Sequence, residues 1–263
     1  MRGSSAESYR RLLDALPAAS EQLGDELIAA AGVLRAQTAL RRAATDTASP
    51  TQVRTQLLAG VFGPHLSADA CAVVVNSGDL RWARGADLPQ ALERLGIVAL
   101  VRAADAAGQG DRIDDELFAF ERAVATSTQL RDALADESRS VADRQRLIDL
   151  LLDGKAAPIT VRLAREALAG DRAHVVAAID ELIEIAAEAR NRKVATIRTA
   201  YPISSAQQDR LRATLGRDAG SEVHLNVIVD PTLVGGLLVE IGDDVIDGTV
   251  GTRLDNVRRR IAG

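Results

Sequence analysis

The feature that most constrains this chain is its similarity to itself at a displacement of ninety residues. Asp25-Glu26-Leu27 falls on Asp115-Glu116-Leu117, Ala29 on Ala119, and Thr38 on Thr128. Leu40-Arg41 then falls on Leu130-Arg131, Ala43 on Ala133, Asp46 on Asp136, Arg54 on Arg144 and Leu57 on Leu147, all without a gap. Farther on the register drifts, as in Gly78-Asp79 against Gly170-Asp171. Self-similarity of such long period implies tandem units of one supersecondary design. Any fold for residues 1–190 must therefore place two related units in series.

Apolar spacing makes each unit helical. Leu12, Leu13 and Leu16 end a first segment before Pro17, and Leu23, Leu27, Ala31 and Leu34 continue at helical spacing. Leu40 and Ala43-Ala44 form a short helix stopping near Asp46. Ser49-Pro50 predicts the next start, a capping side chain followed by proline at the first helical position. Val53, Leu57, Leu58 and Val61-Phe62 follow until Gly63-Pro64; Ser67 then caps a helix through Val73-Val74-Val75. A last helix from about Pro89 carries Leu92, Leu95, Val98 and Val101 inward and breaks at Gly108-Gln109-Gly110.

After Arg190 the period changes. Lys193 to Ile203 reads as a strand. Ser204-Ser205-Ala206-Gln207 has the spacing of a capping box, opening a helix with Leu211 and Leu215 that ends within 216–220. Glu222 to Val229 is a strand that stops at Asp230-Pro231, because proline cannot donate to a sheet ladder. Gly235-Gly236 frees the backbone before a strand from Leu237 to Ile241. Gly242-Asp243-Asp244 supplies turn chemistry, Val245-Ile246 a short return strand, and Asp247-Gly248-Thr249 a break and a cap. Leu254, Val257 and Ile261 lie at helical spacing in a terminal helix that ends in Arg258-Arg259-Arg260, cations suited to the negative end of a helix dipole. The fold expected is mainly α with a small α+β end: two tandem helical-bundle copies, then a βαββ-type domain and a terminal helix.

Composition narrows the functions. A net charge of −5 argues against nucleic-acid binding, which needs a basic face. Cys71 is the single cysteine, so neither a disulfide framework nor a cysteine metal cluster is available. No apolar run approaches the roughly twenty residues that span a bilayer. The start, Met1-Arg2-Gly3-Ser4-Ser5, lacks a secretory apolar core, so a cytosolic bacterial protein is expected.

The ordered set Asp230-Pro231, Gly235-Gly236, Gly242-Asp243, Val245-Ile246-Asp247-Gly248-Thr249 and Arg253-Leu254 resembles the carboxy-terminal signature of the delta subunit of F-type ATP synthase. The mitochondrial relative of that family is the oligomycin-sensitivity-conferring protein. Glu116-Leu117, Gln129 to Leu134, Arg144 to Leu152 with Gly154-Lys155, and Glu181 to Arg192 resemble the family's six-helix bundle, and Val194 to Ser204 its post-bundle strand. The resemblance implies that residues 91–190 are the delta-type bundle, 191–263 the α+β domain, and 1–90 an extra bundle copy, as in the extended form found in high-GC bacteria. Some of those bacteria fuse this region behind a membrane-anchored b stalk helix, which here is expected to be a separate chain or removed. The implied function is a non-catalytic peripheral-stalk subunit without cofactor or metal. It links the amino-terminal helices of α subunits, with β a further contact, to the b stalk, and so supports proton-driven ATP synthesis. Its implied place is the cytoplasmic face of the plasma membrane, held there only through the complex. Asp230, Pro231, Gly235, Gly236, Leu237, Gly242, Ile246, Asp247, Gly248, Arg253, Leu254 and Val257 are the candidate stalk-side or structural positions.

Other chemistries are weaker. Asp153-Gly154-Lys155 lacks the upstream glycine and following hydroxyl residue of a phosphate loop, and Gly108-Gln109-Gly110 has Ile113 where a dinucleotide fingerprint needs glycine. His65, His174 and His224 have no metal-ligand spacing. Asp243, Asp244 and Asp247 suit turns and caps better than acid–base work. Ser4-Ser5 and Ser204-Ser205 read as caps and Cys71 as core. Trp82, beside Arg81 and Arg84, fits an interface anchor and bundle-edge packing equally. The alternative function is a regulatory protein in which tandem bundles sense a small ligand.

Overall fold

The computed structural model describes residues 1–136, 138–168, 175–190, 192–220, 222–233, 235–241 and 244–247. Among these residues the chain is mainly helical, with twelve helices and one four-stranded mixed sheet. The first five helices are α1 (Ser4–Asp14), α2 (Glu21–Ala36), α3 (Thr38–Thr45), α4 (Thr51–Phe62) and α5 (Ala68–Ser77). A long α6 (Asp87–Ala106) follows, then α7 (Gly110–Thr126), α8 (Thr128–Ala135), α9 (Val141–Leu152), α10 (Pro158–Glu166) and α11 (Val175–Ala189).

The ninety-residue displacement recurs as physical contacts. Leu27 and Leu117, Leu34 and Val124, Ala44 and Leu134, Leu58 and Ile148, and Val73 and Leu163 are all buried. Glu26 accepts hydrogen bonds from the Ser67 N–H and Oγ–H ahead of α5; Glu116 does the same at the start of α10, from the Ala157 N–H (2.8 Å) and Thr160 Oγ1–H (2.6 Å). Arg41 and Arg131 each cap the helix before their own, donating to Arg35 O and Ala125 O at 2.8 Å. Asp46 and Asp136 each fold an Asx turn by accepting from the backbone N–H two residues on.

The two units meet in α6, which contains residues 90 and 91. Leu88, Ala91, Leu92, Leu95 and Ala99 join the core of the first unit. Ile97, Val98, Leu100, Val101 and Ala104 join that of the second. A helix apolar on all sides is stable only when buried on all sides, and each fully buried leucine or isoleucine contributes about 1.5–3 kcal/mol. Gly24 of α2 faces Gly96 of α6. A Cβ on either would lie 2.9 or 2.8 Å from the other's carbonyl oxygen, so the two backbones touch. Two further ties cross between the units. Arg162 of α10 pairs with Glu21 and Asp25 of α2. Arg94 of α6 stacks over Tyr9 at 5.6 Å and pairs with Glu181 and Glu188 of α11.

Beyond α11 come β1 (Arg192–Thr199), α12 (Ser205–Ala219), β2 (Glu222–Val229), β3 (Leu237–Ile241) and β4 (Asp244–Asp247), with sheet order β2-β1-β3-β4. The β1–β2 pair is parallel and the other two pairs are antiparallel. The capping box is present: Gln207 N–H donates to Ser204 Oγ (3.4 Å) and Ser204 N–H to Gln207 Oε1 (2.8 Å). Leu211 and Leu215 of α12 pack on Ala195, Ile197, Val223, Leu225 and Val239, one face of the alternating strands.

Several expectations need correction. The return strand expected at Val245-Ile246 is present and pairs with β3, so the label βαββ is one strand short of the four-stranded sheet. The first strand stops at Thr199, not Ile203; the Thr199 hydroxyl donates to Tyr201 O (3.0 Å), turning the chain ahead of Pro202. Ser49 does not cap α4: Pro50 occupies the cap and the Ser49 hydroxyl donates to Asp46 (2.8 Å). Ser5 lies inside α1, buried, where its hydroxyl donates to Asp87 and accepts from Ala83 N–H, both at 2.8 Å. Cys71 is half-buried instead of core. Trp82 is core and not an interface anchor, since its ring is buried and its Nε1–H donates to Ser77 O (3.0 Å). The terminal helix with Leu254 and Val257 lies outside the described residues.

Candidate functional site

Two places gather the residues singled out by sequence: the turn between β2 and β3, and the junction of bundle and sheet. At the turn, Asp230 N–H donates to Thr199 O (2.8 Å), prolonging the β1–β2 pairing by one bond. The Asp230 carboxylate accepts from Thr232 Oγ1–H (2.6 Å) and Thr232 N–H (2.9 Å), and these bonds hold its pKa below the ordinary carboxylate range. Leu233 N–H closes on Asp230 O (3.2 Å), leaving Pro231 at the second turn position, where its fixed φ suits and no donor is lost. Gly235 (φ 152°) and Gly236 (φ 87°) then take backbone angles that side chains disfavour. The segment thereby crosses the end of β1, since Thr199 pairs with Val229 on one side and Leu237 on the other.

Leu237 is half-buried on the α12 face, Ile246 of β4 stands 55% exposed opposite Val239, and neighbouring Val245 is also exposed. Asp247 lies opposite Leu238. Gly242, Gly248, Arg253, Leu254 and Val257, with Asp243 and His174, fall outside the described residues. Among the described residues no three His, Cys, Asp or Glu side chains converge as metal ligands. None of the described helices is long and apolar enough to cross a membrane.

Sequence reasoning singled out Gly108-Gln109-Gly110 and His224 at the junction but missed the ion cluster between them. Arg190, at the end of α11, keeps only 3% of its side chain exposed. It pairs with Asp105 of α6 (2.8 Å), Asp111 of α7 (2.6 Å) and the nearly buried Asp114 of α7. Burial opposes the guanidinium charge, but the Asp111 hydrogen bond and the three carboxylates outweigh it and raise the Arg190 pKa. Gly108-Gln109-Gly110 supplies the space. Gly108 (φ 73°) ends α6 with Gln109 N–H on Ala104 O and Gly108 N–H on Asp105 O, both 2.9 Å, the paired bonds of a Schellman turn. A Cβ on Gly110 would stand 2.5 Å from Arg190 Cζ. From β2, His224 approaches one of these carboxylates and its neighbour, Nδ1 3.8 Å from Asp114 and Nε2 3.5 Å from Asp115. His65 is exposed and far from it in sequence. The available signal was an acidic run around a Gly-x-Gly break, Asp105, Asp111, Asp114, Asp115 and Glu116 against Arg112 alone.

These features are turns, caps and clamps that hold elements at fixed angles, and they define a helical scaffold carrying a small mixed-sheet module. Residues 98–261 match the family described as ATP synthase delta (OSCP) subunit. The chain is 42% identical over 269 residues to ATP synthase subunit delta of Nocardioides sp. (strain JS614), covering 100% of this chain and 98% of that one. It is 42% identical to the subunit of the same name from Kineococcus radiotolerans (95% and 91% covered) and 39% to that of Nocardia farcinica (98% and 96%). The chain belongs to the ATP synthase delta (OSCP) family.

Proposed function

We propose that this chain is a non-catalytic stator subunit in the peripheral stalk of an F-type ATP synthase. It ties α subunits of the catalytic head to the b stalk, so that proton-driven rotation of the shaft yields ATP synthesis instead of a spinning head. The observation that carries this reading is the full-length match to chains named ATP synthase subunit delta. The architecture supports it mechanically. Residues 1–90 and 91–190 are read as two bundle copies that share α6, about 30 Å of continuous helix at 1.5 Å per residue, and 191–263 as the stalk-side domain. The bundles take amphipathic helices of α by burial of one apolar face in an apolar groove. Asp230, Gly235 and Gly236 build the sheet, and the exposed Ile246 belongs to its stalk-facing surface. The chain sits at the cytoplasmic face of the bacterial plasma membrane through its partners.

The test is a pull-down of the tagged chain from detergent-solubilised membranes with mass spectrometry. Recovery of α, β and b subunits at a fixed ratio is expected. A lone chain, or one carrying a small ligand, would overturn the reading.

A further inference from the structure

The sheet module has a core of its own. Its buried cluster, Ala195, Ile197, Leu215, Val223, Leu225 and Val239, shares no member with either bundle core. Strand alternation turns the strand members of that cluster toward α12 and places Val194, His224 and Asn226 on the opposite face. There β2 meets α7, and β1 continues from α11. Two modules with separate cores move relative to one another unless a contact fastens them.

The geometry of His224 fits such a fastening. Both ring nitrogens face carboxylates of α7, Nδ1 at 3.8 Å from Asp114 and Nε2 at 3.5 Å from Asp115. Nε2 is buried and has no hydrogen-bond partner among the described residues, since 3.5 Å lies beyond the usual N–H···O range. A neutral imidazole carries one N–H, so it serves one of two carboxylates and turns a lone pair to the other. An imidazolium donates from both nitrogens and serves both. The other charges around the ring are named by element. Arg190 of α11 shares Asp114 and opposes a second cation there, but it is also drawn to Asp105 of α6 and Asp111 of α7. Glu222 lies two residues away on β2, and β1 places Val194 opposite His224 and Arg192 opposite Glu222. Elsewhere on α7, burial and Asp180 of α11 hold Glu121 above the usual carboxylate range against the pull of Arg122 and of Arg198 on β1.

We propose that His224 is a proton-operated latch between the sheet module and the bundle. Taking one proton from solvent, the ring closes on Asp114 and Asp115 and fixes β2 against α7. Giving the proton up leaves a lone pair against a carboxylate, and the module is released to pivot where α11 passes into β1. Histidine changes charge between about pH 8 and 5, a range in which exposed aspartate, at about 3.9, stays ionised. The latch therefore closes as pH falls through that range. The inference does not rest on the stator reading.

The test is a distance measurement on the full chain. Cys71→Ser removes the one native thiol, and spin labels are placed at Gln129→Cys on α8 and Ala213→Cys on α12, both exposed. Double electron–electron resonance is recorded at pH 5.5 and 8.5. The distance distribution is expected to be at least twofold broader at pH 8.5. His224→Gln should be broad at both values. Asp115→Asn, a change on exposed helix surface, should lose at least half of the pH effect and keeps the test open should His224→Gln fold poorly. Equal widths at the two pH values in the otherwise wild-type chain overturn the latch. A pH effect unchanged by His224→Gln or by Asp115→Asn also overturns it and assigns the titration to another group such as Glu121.

Discussion

Replacing Arg190 by alanine tests whether one side chain locks the end of α11, where the chain passes into β1, against α6 and α7. The guanidinium reaches three carboxylates of unequal exposure: Asp111 is 73% exposed, Asp105 44% and Asp114 7%. The two outer pairs are screened by water and are worth at most about 1 kcal/mol each. The inner one is different, because removing a single partner of a buried pair costs about 3–5 kcal/mol. Asp114 keeps other contacts, among them His224 Nδ1 at 3.8 Å, so the low end, about 3 kcal/mol, is the expected cost. At roughly 2–4 °C per kcal/mol for a chain of this size, Arg190→Ala should lower the melting temperature by roughly 6–12 °C in a calorimetric scan. Arg190→Ala/Asp114→Asn should recover part of the loss, since a neutral amide is cheaper to bury than a carboxylate that has lost its guanidinium. A Cβ at Gly110 would lie 2.1 Å from an Asp105 oxygen as well as against Arg190, so Gly110→Ala should behave like Arg190→Ala. An Arg190→Ala melting point within about 1 °C of wild type, or further loss on adding Asp114→Asn, would refute the clamp.

Two more outcomes follow from the geometry. Burial raises the pKa of Glu26 and Glu116, but donated hydrogen bonds, from Ser67 and Gln22 to the one and from Thr160, Ala157 and Arg112 to the other, outweigh it and leave both depressed. Their stabilisation is therefore complete above the unfolded value of about 4.3 and fades as pH falls through the lower folded value. Glu26→Gln/Glu116→Gln should cost about 1 kcal/mol per site at pH 7 by urea denaturation, and the deficit should shrink below about pH 4; a constant deficit would contradict the linkage. Gly236→Ala should lose about 1–3 kcal/mol, since φ 87° disfavours any side chain, whereas Gly32→Ala on open helix surface should gain up to about 1 kcal/mol. Hydrogen exchange should then speed up in β3 for the first variant alone.

Local chemistry made much of this legible without coordinates. Gly63-Pro64, Gly108 and Ser204-Gln207 end or begin helices because their backbone preferences act within a few residues. Asp230-Pro231 and Gly235-Gly236 announce a turn for the same reason. The ninety-residue displacement announced the repetition of buried positions from Leu27 and Leu117 to Leu58 and Ile148. Where local signals were ambiguous the structure decided: a serine before a proline reads as a cap, yet Ser49 found Asp46 nearer, and Trp82, open to either an interface or bundle packing, went into the core.

Sequence by itself thus determined the helices, the turns, the order of the strands and the family signature, all products of short-range preference and apolar period. Only the tertiary structure decided that the two units share α6, that Arg190 gathers Asp105, Asp111 and Asp114 across eighty residues, and that Trp82 goes into the core. Those outcomes depend on which surfaces remain after every other helix has packed, a long-range balance of burial that no window of the chain contains.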